Sequence, residues 1–138
     1  MKIENYLERV ELRKAFSEVL ALSSEGNRYL EDTQPWVEIK NDRERTQRIL
    51  YHCANLCGSL AILASPFIPN ASQRVWDQLN LQGKVDSHGS WDKTTETLLK
   101  SRHRINKPSI LFKKLEDEYV EKFKRIVADA PDLAGYFK

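Results

Sequence analysis

Three groups of side chains in this sequence have the chemistry to bind or to react. The first is Cys53 and Cys57, with His52 beside them. Residues four apart on a helix point the same way, whereas His52 turns away from Cys53 by about 100°. A structural zinc site needs four ligands, usually from two short pairs, and the chain has no second pair of cysteines. Small, buried packing cysteines are therefore expected, and no metal. His88 and His103 lie in loop-like stretches without a nucleophile pattern and read as solvated histidines. A Gly-rich phosphate loop, G-x-S-x-G, H-E-x-x-H and a paired-carboxylate signature are all missing, so no residue is expected to be catalytic.

The second group surrounds Trp36. Pro35 ends the helical pattern before it, because a proline biases the preceding residue out of the α region. The indole is then either a plug for the core or a platform for a ligand. Glu38 and Lys40 follow, and then Arg43, Arg45 and Arg48 at the start of the next helical pattern. An exposed indole beside cations suits base stacking, worth roughly 1–3 kcal/mol per base, and arginines at a helix N-terminus suit phosphates. The alternatives are a core or surface-covering tryptophan, and a solvated helix face whose arginines are offset by Asp42 and Glu44. The third group is the run from Lys100 to Lys114, with Lys100, Arg102, Arg104, Lys107, Lys113 and Lys114 and no acid among them. It reads as a phosphate surface, or as a solvated strap pinned to the core by Ile105, Ile110, Leu111 and Phe112.

The elements that position these groups are helical. From Tyr6 to Gln34, Leu12, Phe16, Val19, Leu20, Ser23, Asn27 and Leu30 recur at spacings of three and four, which predicts one long helix with these residues on one face. Asn27 then needs a polar partner, and Gly26 allows a neighbouring helix to come close. Val37 to Lys40 is a connector, Asn41 or Asp42 is a cap, and a second helix runs from Arg43 to Ala64 or Ser65. Its second half is apolar nearly all round, so neighbours should cover it on several sides. Pro66 and Pro69 make a corner. Asn70, Ala71 and Ser72 cap a short helix to about Leu79, with Val75, Trp76 and Leu79 as a core stripe. A polar loop covers 80–90, Trp91 is a core or lid anchor, and 101–114 is extended. A last helix, Leu115 to Ala128, carries Leu115, Tyr119, Phe123, Ile126 and Val127 on one face; 131–138 is a tail.

Composition sets the class. The 138 residues are 41% hydrophobic and 30% charged, with five Gly and five Pro, an ordinary profile for one domain of long regular elements. The net charge of +2 is too small to imply nucleic acid through the global field. The N-terminus lacks an apolar segment of signal type. The longest apolar stretch, Leu56 to Ile68, is short of the roughly 20 residues that span a bilayer. A cytoplasmic protein without a membrane partner or a disulfide framework is expected.

Four segments resemble, in order, a known family. Asn27-Arg28-Tyr29-Leu30 followed by Pro35-Trp36 is similar to a stretch in the helical anticodon-binding domain of methionyl-tRNA synthetases. Leu63 to Pro69 resembles that family's proline corner. Val75-Trp76-Asp77-Gln78-Leu79 resembles its next helix, and Arg102 to Pro108 with Leu111-Phe112 a later segment in which Arg102 stands where the family has glycine. The resemblance, over roughly residues 10 to 118, implies an all-α bundle of about four to five helices (1–130) that binds the anticodon stem-loop of the methionine tRNA. It implies base stacking on Trp36, with Pro35, Asn27, Arg28 and Tyr29 matching the family's stretch in a supporting role; Arg45 and Arg48 join them as RNA-binding residues on their charge and place at a helix start. It further implies a longer ligase in which a catalytic domain of the same polypeptide uses ATP, with zinc a further candidate cofactor there, and neither held by this stretch. The HIGH-type and KMSKS-type signatures are absent from this sequence, as is the opening helix of the family's domain, whose Asn and Arg read anticodon bases. A helical protein-interaction module and the anticodon-binding domain of another class I synthetase are the rival readings. DNA is not an expected partner.

Overall fold

The computed structural model describes residues 2–88, 94 and 96–128. Among them are six α-helices and no strand: α1 (Lys2–Glu8), α2 (Leu12–Thr33), α3 (Pro35–Glu38), α4 (Arg43–Ala64), α5 (Pro69–Gln78) and α6 (Asp117–Ala128), with a 3-10 turn at Val85–His88. Trp91 and the tail 131–138 lie outside the described residues, and so do the side chains of His88, expected in solvent, and of Val127.

The single N-terminal helix expected from periodicity is in fact two. Val10 takes the left-handed conformation (φ 58°), its N–H donates to Leu7 O at 2.9 Å, and the Glu11 N–H donates to Tyr6 O at 2.8 Å. That pair of bonds is the Schellman ending of a helix, and it folds α1 back along α2. The sequence hides it because the position usually held by Gly or Asn carries a β-branched valine. The buried face of α2 is also shifted from the expected one. Ala15 and Val19 are buried and Phe16 and Leu22 pack beside them, whereas Leu12 and Leu20 are each 52% exposed and Asn27 lies in solvent. Asn27 therefore needs no buried partner. Gly26 does permit close approach: a Cβ there would sit 2.5 Å from Leu56 Cδ2 on α4.

Helix α4 is the centre of the fold, as its all-round apolar second half requires. Leu63 and Ala64 join Ile3, Ala15 and Val19 in one cluster. Ala61 and Ile62, on the other side, join Trp76 and Val85 in a second. Trp76 is fully buried, and its indole N–H donates to Gln82 O at 3.2 Å. Helix α5 begins at Pro69 in its first turn without a side-chain cap. Ser72, expected as part of that cap, is instead buried inside the helix. The final helix has its amphipathic stripe, but Leu115, Tyr119, Phe123 and Ile126 are all more than half exposed.

Candidate nucleic-acid interface

Trp36 stands on a one-turn helix clamped between the two longest ones. Gln34 takes the left-handed conformation (φ 41°), ends α2 through its N–H to Leu30 O, and also opens α3. Pro35 then fills the first position of α3 and is buried, as suits a residue with fixed φ and no N–H to satisfy. Backbone bonds continue without a gap: Glu38 N to Gln34 O at 3.0 Å, Ile39 N to Pro35 O at 3.0 Å, Asp42 N to Glu38 O at 2.8 Å and Thr46 N to Asp42 O at 3.1 Å. The Asp42 side chain caps α4 by accepting from Arg45 N at 2.8 Å. The stretch expected as a connector is thus a rigid corner.

On that corner the indole is 57% exposed, with Val37 and Ile39 exposed beside it. The indole therefore does not plug the core, and its exposure is compatible with a platform or with a surface-covering role. Arg45 reaches Glu38 of α3 at 4.0 Å, and Arg48 reaches Glu44 at 3.8 Å. Such exposed pairs are worth about 1 kcal/mol or less, so both guanidiniums stay available to an anion. Arg43 is exposed and pairs with no acid among the described residues.

Asn27, Arg28 and Tyr29 sit apart from this corner, on α2. Arg28 is engaged by Glu25. Tyr29 is 40% exposed and lines an apolar groove of about 470 Å³ with Leu22, Gly26, His52, Cys53 and Leu56. No bond joins these three to Trp36 among the described residues. The cysteines depart from expectation in one respect, since Cys57 is exposed and Cys53 half-buried. Apolar surroundings push both thiols up, Cys57 further through Cys53, so neither is an activated nucleophile. No three of His, Cys, Asp and Glu come together to hold a metal among the described residues.

The strap 100–114 is held by hydrogen bonds instead of by its apolar side chains. Ile105, Ile110 and Phe112 are more than half exposed; only Leu111 is half-buried. Asn106 donates from its backbone to Gln78 O at 2.8 Å and from its amide to Asp77 O at 2.7 Å. Gln78 Oε1 accepts from Ser109 N at 2.9 Å, and Asn80 Nδ2 donates to Arg104 O at 3.1 Å. His103, expected in solvent, is half-buried and donates from Nε2 to Leu79 O at 2.6 Å. The strap thereby satisfies the carbonyls that the end of α5 leaves open. Sequence reading missed this anchor; the signal for it was the Asn and Gln content around a helix end.

Comparison with known proteins agrees with this architecture. A family described as the anticodon binding domain of methionyl tRNA ligase matches residues 1–131. A methionine–tRNA ligase of Christiangramia forsetii is 37% identical over 123 residues, covering 87% of this chain and 18% of the relative. One from Aeropyrum pernix is 37% identical over 124 residues (90% and 22%), and one from Bacteroides fragilis 38% over 120 residues (87% and 17%). The chain spans about a fifth of the length of these curated relatives. No helix among the described residues is long and apolar enough to cross a membrane. The chain belongs to the family of anticodon binding domains of methionyl tRNA ligase.

Proposed function

We propose that the chain binds the anticodon stem-loop of the methionine tRNA, and so selects that tRNA for ATP-dependent aminoacylation by a catalytic domain of the same polypeptide in the cytoplasm. The observation that carries this reading is the indole of Trp36, held 57% exposed on a corner that hydrogen bonds fix at both ends. Bases of an unpaired loop offer π-faces that stack on aromatic side chains. Val37 and Ile39 widen the apolar platform, and Arg43, Arg45 and Arg48 place cations within the first turns of the adjoining helix, where its N-terminal dipole also favours phosphate. Methionine, ATP and any zinc would be held by the catalytic domain.

The test is Trp36→Ala in the natural polypeptide, titrated with methionine tRNA. Loss of a stack worth roughly 1–3 kcal/mol is expected to weaken binding by about tenfold or more, with little change in helix content because the indole is not part of the core. Unchanged affinity would sink the platform. Burial of Trp36 would have removed the RNA platform, and the indole is exposed; no specific observation favours a protein-interaction role.

A further inference from the structure

The six strap cations are not used by the reading above. Lys100, Arg102, Arg104, Lys107, Lys113 and Lys114 are all exposed, and none pairs with an acid among the described residues. Cations in a row repel one another, and nothing in the strap offsets that. What holds them in a row is the backbone beneath, fixed to α5 by the bonds described above.

The anchors also fix the direction of the strap. It begins against the middle of α4, where Tyr51 Oη donates to Leu99 O at 2.7 Å and Asn55 Oδ1 accepts from Leu99 N at 3.0 Å. It then crosses the end of α5 at Asp77 and Gln78 and continues to Arg74, whose guanidinium donates to Leu111 O at 2.7 Å and to Ile110 O. Helix α5 runs antiparallel to α4, since Trp76 packs with Ala61 and Ile62 while Leu79 faces Gly58. The first half of the strap therefore lies toward the Trp36 end of α4, and the second half away from it. Arg48 stands three residues before Tyr51, hence on the same face of α4 and one turn nearer Trp36.

We propose that Lys100, Arg102 and Arg104 continue the Arg48 face as a track for the phosphates of an RNA stem whose loop base stacks on Trp36; the proposal rests on the RNA reading given above. The occupant is a phosphodiester backbone because the track leads to an exposed indole. A merely acidic peptide would satisfy the charges and leave that platform uncovered. Lys113 and Lys114, beyond Arg74, are outside the track.

The experiment compares the natural polypeptide with the triple variant Lys100→Gln, Arg102→Gln, Arg104→Gln and with the pair Lys113→Gln, Lys114→Gln. Each is titrated with methionine tRNA over about 50 to 300 mM salt, where each phosphate contact contributes about 1 to the slope of log K against log salt. The triple variant is expected to lower that slope by about 2–3 and to weaken low-salt binding at least about tenfold, and the distal pair to change the slope by less than about 1. The preference for the natural anticodon over an altered one should stay as it was. An unchanged slope in the triple variant, or an equal fall in the distal pair, overturns the track. If the triple variant loses helical circular dichroism, Lys100→Gln alone is read, with an expected fall of about 1 and the same overturning result. Failure of the anticodon reading is seen separately, as an unmutated protein that binds natural and altered anticodons alike.

Discussion

Leaving Trp36 in water forgoes much of the roughly 1.5–3 kcal/mol that burying a large apolar side chain contributes. The neighbouring Pro35 takes the buried position instead, so the corner is stabilised without the indole. Arg102 shows the opposite balance. It stands where the family pattern has glycine and takes φ 61°, a conformation that costs a side chain about 1–2 kcal/mol. Replacing it by glycine relieves that strain but frees the unfolded chain, which costs back about 0.4–1 kcal/mol. Arg102→Gly is thus expected to leave stability unchanged or raised by up to about 1.6 kcal/mol, read as the denaturation midpoint. A clear loss would show that the arginine side chain stabilises the turn by contact. Single residues differed in how far the sequence revealed them. Trp76 was legible as core because Val75 and Leu79 share its stripe. Trp36 was not, since Pro-Trp marks a stop without saying which side the ring faces. Asn27 misled because the stripe, right at Phe16 and Val19, was also drawn through Leu12 and Leu20, whereas the buried line runs through Ala15 and Val19.

Periodicity revealed helices better than it revealed their partners. Helix α4 was legible to within a residue at each end, because Asn41 or Asp42 had to cap it and its second half is apolar nearly all round. Helix α6 was legible as amphipathic, yet Tyr119 and Phe123 face solvent; a stripe states that a helix can be covered, not that it is. The break between α1 and α2 was illegible because Val10 occupies a left-handed position. The strap was the least legible element. Its fixation comes from side-chain amides meeting the open carbonyls of α5, a pairing with no period. Asn106→Ala tests that fixation without altering charge. It removes the bond to Asp77 O, worth about 1 kcal/mol, and is expected to speed hydrogen exchange of the Asn106 and Ser109 amides by about fivefold, the same energy expressed as an opening equilibrium. Exchange unchanged at both amides would mean that the strap is held elsewhere.

At the scale of the whole molecule, one helix serves two cores. Leu63 and Ala64 face Ile3, Ala15 and Val19, and Ala61 and Ile62 face Trp76 and Val85, so of four consecutive residues of α4 the first two belong to one side and the next two to the other. This arrangement places α4 between the helical hairpin α1–α2, which leads into the Trp36 corner, and the α5 unit that carries the strap. If the platform and the track engage one RNA, their relative placement has to survive thermal opening, and α4 is what sets it. Whether the two sides open together is testable in any polypeptide that contains the chain. Trp76→Ala should cost about 3–5 kcal/mol, and Val19→Ala about 2 kcal/mol from its lost methyl groups and cavity. In a single cooperative unit each change lowers the protection of every amide from Gly58 to Ala64, by about 30-fold for Val19→Ala and more for Trp76→Ala. If Val19→Ala instead speeds only Leu63 and Ala64, and leaves Ala61 and Ile62 protected, the two cores open independently. The corner and the strap would then be joined by a hinge and not by a rod.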